Sequence, residues 1–475
     1  MELLFIVLFG LSLVQALGRN ATKAFILTDI SNEPDDAESL IRLLLYSNEI
    51  NIVGLAATNS VWLNSTTHEE DIFPILDGYG KVVSNLRVHD PNYPDAAYFK
   101  KLVTIGSSKY GLKALDEPKL SSAASALIRA VDDVENDDYL WVQCWGGANV
   151  LAEALKYVKA ERSNSDLESF IKKVKVYSIS DQDDAGAWIR QNFNEMVYVC
   201  SIHGWNEYGL ATWSGVSGED YYLFDNGGPD TEIVSHQWIK TNIQVGPLGS
   251  LYPDYMFIME GDTPAFLGII PNGLNVPDHP EYGGWGGRYK RSDNSYRSNH
   301  FGDVADTVVG KDGKVHKSNQ ATIWRWREAY QNDFAGRIQW TLRSSYTGAN
   351  HPPKVIVNGT VGDSVLNLSV SPGVPVVLDA TSSVDPDGDH LTFKWFQYSE
   401  VTATQWSASR EVETISIDDE SQSKIEFLSP TKAGSYHIIL QVTDDGKPAL
   451  TRYKRVVLTV NEKSSSVNNI SHEDL

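Results

Sequence analysis

Short apolar strands alternate with helical segments along the first part of this chain. The strand-like runs are AFILTD (24–29), INIVGLAAT (50–58), LWVQC (140–144), KVKVYSIS (173–180) and MVYVCSI (196–202). The helical patterns between them are DDAESLIRLLLYS (35–47), SSAASALIRAVDDV (121–134), NVLAEALKYV (149–158) and AGAWIRQNF (185–193). Such alternation is typical of parallel βαβ units, and nearly continuous apolar strands indicate helices on both faces of the sheet. The sequence therefore predicts an α/β fold built on a doubly wound, mostly parallel sheet.

The pattern changes after Pro353, where short β-branched strands follow one another without helices. Turn clusters such as DPDGD (385–389) and DDGKP (444–448) separate them, as in an all-β immunoglobulin-like sandwich. A chain of 475 residues exceeds the size of one hydrophobic core, so we expect two domains. The predicted boundaries are an α/β domain at 19–347, a linker at 348–354, a sandwich at 355–461 and a disordered tail at 462–475.

The N-terminus predicts a secreted, extracellular protein. An apolar run from Leu3 to Leu17 is too short to span a bilayer, and Val14-Gln15-Ala16 provides a cleavage signal, so we expect a signal peptide at 1–18. A buried N-terminal strand or helix is the alternative. Glycosylation sequons support secretion, and they lie at Asn20, Asn64, Asn358, Asn367 and Asn469. No second long apolar run follows, so we expect no membrane span in the mature protein.

The formal net charge of −22 bears on the partners of this chain. Nucleic acid and anionic lipid surfaces would be repelled, which leaves neutral ligands, cations, or solubility alone as the meaning of the charge. The two cysteines, Cys144 and Cys200, both lie in strand-like segments. We expect buried free thiols, with a single disulfide as the alternative.

An acidic loop follows the first strand, in the segment TDISNEPDDA (28–37). In an open α/β sheet, ligands bind beyond the carboxyl ends of the strands. Three aspartates and one glutamate within eight residues repel one another unless a cation neutralises them, and carboxylate oxygens suit Ca²⁺. Helix capping by Asp35 and Asp36 is the alternative. The loop as a whole predicts a Ca²⁺ site.

The same loop resembles the DxDPGxDDAxA signature of nucleoside hydrolases. The resemblance implies that Asp29, Asp35 and Asp36 are metal ligands and that they orient a water, although SNEP replaces the usual Pro-Gly turn. The segment WGGAN (145–149) resembles a turn in which a backbone carbonyl, here that of Cys144 or Trp145, completes the metal shell. EGDTPAFL (260–267) resembles the segment that carries a late ligand, here Asp262. The family's histidine would fall near Gly261 and is missing.

A resemblance over nearly the whole mature chain points to cellulose-binding proteins with a nucleoside-hydrolase-like domain. The shared strings are TDISNEPDD, WGGAN, GDTPAFLG, PEYGGWGGRY and DPDGDHLTFKW. The resemblance implies an extracellular role with carbohydrate or a nucleoside-like small molecule, and with cellulose or another cell-wall glycan as the partner.

Further side chains are candidates for binding substrate. These are Asn32, Glu33, Trp145, Asn149, Asp181, Asp183 and Trp285. Carboxylates accept hydrogen bonds from sugar hydroxyls, and a Trp285 ring on a glycine-rich loop would stack on a sugar; capping and ordinary packing are the alternatives. Candidate acids are His203, His279 and His300. In the sandwich, we expect Trp395 in the core and Tyr398 and Trp406 on an exposed binding strip, and the DPDGD segment either holds Ca²⁺ or forms a tight turn.

Two functions follow from these patterns. The first is a hydrolase of N-glycosyl or related glycosidic bonds, in which Asp29 or Asp36 takes a proton from a Ca²⁺-bound water. The second is a carbohydrate-binding protein that keeps the hydrolase fold without catalysis, which the missing histidine favours.

Overall fold

The computed structural model describes residues 21–203, 207–292, 297–402 and 412–462. The predicted signal peptide, most of the predicted tail, Trp205, Trp406, Asn20 and Asn469 lie outside these ranges. No helix within the described ranges has the length and apolar character that a bilayer span requires.

The first domain is built on an eight-stranded sheet in the order β3-β2-β1-β4-β5-β6-β8-β7. Neighbouring strands are parallel except β7 and β8, which are antiparallel. The strands of this sheet are β1 (Lys23–Thr28), β2 (Asn51–Ala57), β3 (Val103–Ile105), β4 (Leu140–Cys144), β5 (Val174–Ser180), β6 (Val197–Ser201), β7 (Tyr289–Arg291) and β8 (His300–Asp303). A separate hairpin pairs β9 (Asp306–Val309) with β10 (Val315–Ser318).

Helices cover both faces of this sheet. They are α1 (Asp35–Leu45), α2 (Ile72–Gly80), α3 (Val83–His89), α4 (Ala96–Leu102), α5 (Ser122–Asp132), α6 (Asn149–Glu161), α7 (Asn164–Lys172), α8 (Ala185–Asn192), α9 (Glu219–Tyr222), α10 (His236–Asn242), α11 (Gly246–Gly249), α12 (Pro264–Leu267), α13 (Ala321–Trp324) and α14 (Arg327–Leu342). Successive residues of a strand point to opposite faces. In β1, Ala24 and Ile26 accordingly join one hydrophobic cluster, and Phe25 and Leu27 join the other.

The strand order confirms the predicted doubly wound fold. From β1, the strands β2 and β3 are added in succession on one side of the sheet, whereas β4, β5 and β6 are added in succession on the other side. The strand order therefore reverses between β1 and β4, which are parallel neighbours. The connections that follow these two strands lead to opposite sides and leave a crevice at their carboxyl ends.

The second domain contains a four-stranded sheet, β13-β18-β17-β15, and a two-stranded sheet, β14-β16. Its elements are β11 (Ile356–Val357), β12 (Thr360–Val361), β13 (Leu366–Val370), β14 (Pro375–Asp379), β15 (Thr392–Gln397), α15 (Ser399–Thr402), β16 (Lys424–Leu428), β17 (Gly434–Thr443) and β18 (Thr451–Val460). Most pairs are antiparallel, although β13 and β18 are parallel. Trp395 is fully buried between the sheets, as its sequence position predicts.

The two domains are joined by backbone hydrogen bonds as well as by side chains. In β18, the amides of Tyr453 and Arg455 donate to the carbonyl oxygens of Asn272 and Gly273, at 2.9 and 3.0 Å. Tyr398 is fully buried, and its hydroxyl donates to Asp306 of the first domain at 2.6 Å. The expected place of Tyr398 on an exposed binding strip is therefore wrong, because the interface between the domains covers it.

The predicted linker at 348–354 packs against the second domain. Asn350 and His351 are buried. The Asn350 side chain donates to Asp444 at 2.9 Å, and His351 lies 3.0 Å from Asp387 in the DPDGD segment. These contacts fix the segment at the junction of the two domains.

Cys144 and Cys200 are free and buried, which confirms the expectation of buried thiols. Cys144 ends β4 and Cys200 lies in β6, and β5 runs between these strands, so the two sulfur atoms are held apart. We expect a thiol reductant to leave the thermal unfolding midpoint unchanged. A midpoint that falls on reduction, but not in a Cys200→Ala variant, would contradict this arrangement.

Candidate functional site

A pocket of about 300 Å³ opens where β1 and β4 end. This is the point at which the strand order reverses, and ligands bind there in open α/β sheets. Its floor is acidic and most of its wall is aromatic. The lining residues are Asp29, Asn32, Glu33, Asp35, Asp36, Trp62, Trp145, Ile179, Gln182, Tyr208, Trp213, Tyr221, Tyr222, Phe257, Ile258, Gly261 and Asp262.

Four aspartates from three segments meet on the floor of this pocket. Asp29 follows β1, Asp35 and Asp36 begin α1, and Asp262 precedes α12. One carboxylate oxygen from each of Asp35, Asp36 and Asp262 lies within 4.8 Å of the others. Asp29, Asp36 and Asp262 are buried. The structure thus brings together all the carboxylates that the sequence predicts as metal ligands.

Burial raises the pKa of each of these carboxyl groups, and repulsion by neighbouring carboxylates adds to it for Asp35, Asp36 and Asp262. Burial is the largest cause for Asp36 and Asp262, whose pKa values lie well above the usual range, and the neighbouring aspartates add to it. The pKa of Asp35 rises to about 8 through burial and then through the charge of Glu33. Among the described residues, no lysine, arginine or histidine lines the pocket. Without a cation, ionisation of these carboxyl groups is therefore costly, and no basic side chain of the described lining offsets that cost.

The donor set fits a hard cation. Asp262 has one buried carboxylate oxygen, Oδ2, that has no hydrogen-bond partner in the described part of the chain. A buried carboxylate oxygen without a partner is costly, and coordination to a cation would remove that cost. Several carboxylate oxygens within reach of one point match the oxygen-rich coordination of Ca²⁺.

One face of α1 holds the segment that carries Asp262. The Glu38 carboxylate accepts the backbone amide of Glu260 at 2.8 Å, and the Thr263 hydroxyl donates to Ser39 at 3.0 Å. Arg42 forms a fully buried ion pair with Glu260, whose backbone is left-handed at φ 57°. Residues three and four apart share a helix face, so the helix that begins with Asp35 and Asp36 also positions Asp262.

Two glycines allow the close approach of these aspartates. A Cβ atom on Gly261 would lie 2.6 Å from Asp35 Oδ2, and one on Gly146 would lie 2.6 Å from Asp29 Oδ1. Both distances are too short for nonbonded contact, so a larger side chain at either position displaces a floor carboxylate.

We expect Gly261→Ala to weaken cation binding at least tenfold and to lower any turnover about 100-fold, because small misplacements at a reacting centre have effects of that size. Isothermal titration calorimetry with Ca²⁺ measures the first effect. Gly268→Ala is the matched control, since a Cβ atom there would meet its nearest neighbour at 3.7 Å. Equal Ca²⁺ affinities in the two variants would contradict the assignment of Asp35 as a ligand.

The aromatic wall comes largely from segments in which the sequence shows no clear periodicity. Trp62 follows β2, whereas Tyr208, Trp213, Tyr221 and Tyr222 lie in the long connection between β6 and β8. Sequence reasoning missed these residues. Trp62 could have been predicted, because it follows β2 and the carboxyl ends of the parallel strands lie at the same edge of the sheet.

Several predicted substrate-binding residues line the pocket and others do not. Asn32, Glu33 and Trp145 are part of it. The side chain of Asn149 is buried and accepts a hydrogen bond from Thr58 at 2.6 Å. The structure therefore turns Asn149 away from the pocket.

The two aspartates after β5 have local partners. Asp181 forms an ion pair with Arg190 in α8, and Asp183 accepts the backbone amide of Ala185 at 2.9 Å at the start of that helix. The capping alternative thus describes the contacts of Asp183. Neither side chain lines the pocket.

Trp285 is fully buried, so the prediction that its ring stacks on a sugar is wrong. Its backbone amide donates to Asn275 at 3.0 Å, and its ring meets the edges of Tyr330 and Tyr453. Tyr453 belongs to β18, so the docked second domain helps to cover this tryptophan.

The backbone carbonyls predicted to complete the metal site and the histidines predicted as general acids have other contacts or positions. The Trp145 carbonyl accepts a hydrogen bond from the Gln182 side chain, and the Cys144 side chain lies in a hydrophobic cluster. His203, His279 and His300 are not among the lining residues. Within the described ranges, the pocket therefore offers no histidine as a general acid.

Comparisons with known proteins agree with this fold. Residues 23–289, more than half of the chain, match the family described as cellulose-binding Sde182, nucleoside hydrolase-like domain. Residues 375–460 match the C-terminal domain of cellulose-binding protein Sde0182. No curated protein sequence matches the chain significantly.

Among solved structures, the chain is similar to a nucleoside hydrolase-related hypothetical protein from Saccharophagus degradans that is associated with carbohydrate metabolism. The identity is 32% and the TM-score 0.77, over 93% of this chain and 100% of the other. A PKD domain from the KIAA 1837 protein and a PapD-like domain of human CEP192 each align to less than a quarter of the chain, both with a TM-score of 0.16. The chain belongs to the family of cellulose-binding proteins with a nucleoside hydrolase-like domain.

Proposed function

We propose that this protein hydrolyses a glycosyl bond of a neutral sugar outside the cell, with Ca²⁺ as its cofactor. The single observation that carries the proposal is the convergence of Asp29, Asp35, Asp36 and Asp262 at the reversal of strand order, with no basic side chain among the described residues that line the pocket. The family's name and the relative's association with carbohydrate metabolism support a carbohydrate substrate.

The residues of the floor have complementary tasks. Asp35, Asp36 and Asp262 would hold the cation, and bound Ca²⁺ would lower the pKa of a water molecule and bind sugar hydroxyls. Asp29 or Asp36 accepts the proton of that water. The remaining carboxylate charge stabilises the oxocarbenium-like transition state that glycosyl transfer to water passes through.

The charge of the pocket favours a neutral substrate. Five carboxyl groups line it, from Asp29, Glu33, Asp35, Asp36 and Asp262. One divalent cation balances only part of this charge. Phosphorylated nucleosides and acidic sugars would still be repelled, whereas neutral hydroxyl groups form favourable hydrogen bonds with carboxylates.

The second candidate is a carbohydrate-binding protein without catalysis. The observation that favours it is that the lining residues in the described part of the chain include no histidine, since a nucleobase leaving group needs a proton donor. In this case the carboxylates and the cation would bind sugar hydroxyls and no bond would break.

Turnover assays with and without a chelator separate the two candidates. We expect release of the leaving group from nitrophenyl glycosides or nucleosides in the presence of Ca²⁺, and its loss in the presence of EDTA. No release from any of these substrates at saturating Ca²⁺, together with retained sugar binding, would favour the second candidate. Release that persists in EDTA would contradict the role of the cation.

A further inference from the structure

Large aromatic side chains are exposed around the mouth of the acidic pocket. Trp62 is 44% exposed, Tyr221 54% and Phe257 42%, although all three line the pocket. Met256, next to Phe257, is 69% exposed. Clustered exposed apolar side chains at a cleft are typical of a surface that a ligand covers. We call Trp62, Tyr208, Tyr221 and Phe257 the aromatic rim.

The rim is organised as two pairs of rings. The Trp62 indole N–H donates to the Tyr208 hydroxyl at 3.1 Å, and the two ring centroids are 6.4 Å apart. The rings of Tyr221 and Phe257 are 5.4 Å apart. The members of each pair come from distant parts of the sequence, so the contacts hold the rings in fixed positions around the pocket.

The size of the pocket indicates that the ligand extends beyond it. A volume of about 300 Å³ is at the low end for small-molecule sites. A ligand confined to that volume would leave much of Trp62, Tyr221 and Phe257 in water. A ligand that covers the rim must continue from the acidic floor to the surface.

The chemistry of the two zones restricts what this ligand is. The floor selects hydroxyl groups without negative charge, and the rim selects flat faces that carry C–H groups or rings. A sugar ring presents both kinds of surface, hydroxyls at its edge and C–H groups on its faces. A single nucleobase would satisfy one pair of rings and leave the other exposed.

We propose that the substrate is a neutral linear oligosaccharide, whose terminal sugar occupies the acidic floor and whose next sugars lie across the aromatic rim. The placement of the terminal sugar on the acidic floor rests on the proposed hydrolysis. In that reaction the water oxygen bonds to the anomeric carbon and its proton passes to Asp29 or Asp36. The glycosidic C–O bond breaks and the departing sugar oxygen takes up one proton, so the two products together contain one added water. The rim subsites require no bond cleavage and can be tested by binding alone.

The test is titration of tryptophan fluorescence with glucose and with soluble glucose oligomers of increasing length, at saturating Ca²⁺ and on a time scale shorter than turnover. We expect the affinity to rise about tenfold or more from the monosaccharide to the hexamer, a difference of about 1.4 kcal/mol. Phe257→Ala and Trp62→Ala should remove most of this dependence on length.

The matched control is Tyr157→Ala, because Tyr157 is 43% exposed and lies in α6, outside the pocket lining. Trp62→Phe is the conservative variant, which keeps a ring at this position and should keep part of the dependence on length. An affinity that does not change with chain length in the wild-type protein overturns the proposal. An effect of Tyr157→Ala as large as that of Phe257→Ala overturns it too.

The outcomes also separate this proposal from the proposed hydrolysis. Length-dependent binding without turnover supports the rim subsites and contradicts hydrolysis. Ca²⁺-dependent turnover of nitrophenyl glycosides without length-dependent binding supports hydrolysis and contradicts the rim subsites.

Discussion

Asp36→Asn is expected to abolish Ca²⁺ binding and to lower turnover about 10³-fold or more, and yet to stabilise the cation-free protein at neutral pH. Asp36 is one of the three proposed cation ligands and one of the two candidates for accepting the proton of the water, and proton transfer alone accounts for about 10²- to 10⁴-fold in enzymes. Calorimetry with Ca²⁺ and a turnover assay measure the two losses. The gain in stability follows because burial, and then the neighbouring carboxylates, make an ionised Asp36 costly in the folded protein.

The sign of that gain comes from the raised pKa values. In the folded protein the pKa of Asp36 lies well above its usual value, and that of Asp35 is about 8, whereas both return to about 4 on unfolding. The folded state therefore binds these protons more tightly. Without a cation, the contribution of these groups to stability is complete below about pH 4 and is lost as the pH rises through the folded pKa values.

Denaturant unfolding as a function of pH checks this expectation. Without Ca²⁺, the wild-type protein should lose stability from acid to neutral pH through these groups, and Asp36→Asn should lose less. Added Ca²⁺ should stabilise the wild type at neutral pH, because a bound cation replaces the protons, and should have no effect on the variant.

Asp220→Asn is the matched control, since Asp220 is exposed in α9 and does not line the pocket. It makes the same change of charge and should change neither Ca²⁺ affinity nor turnover. Wild-type Ca²⁺ affinity in Asp36→Asn would show that the cation, if bound, sits elsewhere. A less stable cation-free variant at neutral pH would show that the buried Asp36 carboxyl group does not destabilise the folded protein there.

The parts of the site that follow strands could be predicted from the sequence. Parallel strands end at one edge of a sheet, so Asp29 after β1 and Trp145 after β4 had to lie at the same edge once the strands were recognised, and the pairing of β1 with β4 brings them close. Their meeting with Asp262 could not be derived from periodicity, because Asp262 precedes a helix of only four residues. The resemblance to a known family supplied that residue, and its contacts with α1 now give the physical reason.

The burial of several aromatic residues could not be predicted, because it depends on how the two domains pack. Trp285 lies in a glycine-rich segment and Tyr398 ends a strand-like run, and both patterns fit exposed positions as well as buried ones. Tyr453 and Asp306 cover them across the interface. The rim residues Tyr208 and Tyr221 were missed for another reason, since the connection that carries them has neither strand nor helix periodicity.

Asp333 lies at the centre of the charged network that joins the two domains. Its carboxylate accepts hydrogen bonds from Tyr46 at 2.7 Å, from Arg337 Nε at 2.9 Å and from Arg452 at 2.7 Å. Arg452 belongs to β18, whereas Asp333 and Arg337 belong to α14. All three charged side chains are largely buried, and the arginines hold the pKa of Asp333 below its usual range against the effect of burial.

Asp333→Ala is expected to lower the free energy of unfolding by about 3–5 kcal/mol, because it leaves two buried guanidinium groups without their shared carboxylate. Urea unfolding followed by tryptophan fluorescence measures the loss. Asp132→Ala is the matched control, since the Asp132 side chain is 43% exposed in its ion pair with Arg162 and such pairs contribute about 1 kcal/mol or less.

The dependence on pH gives Asp333 a second signature. Because its folded pKa is depressed, its contribution to stability is present above about pH 4 and is lost as the pH falls towards the folded pKa. The pKa values of the floor carboxyl groups are raised, so their contribution to stability changes with pH in the opposite direction. Asp333→Ala should therefore reduce the loss of stability as the pH falls into the acid range. Asp36→Asn should instead reduce the loss of stability as the pH rises towards neutral. Two results would contradict the view that this network couples the domains into one cooperative unit. The first is separate unfolding of the second domain in the wild-type protein. The second is a free energy of unfolding of Asp333→Ala within about 1 kcal/mol of the wild-type value.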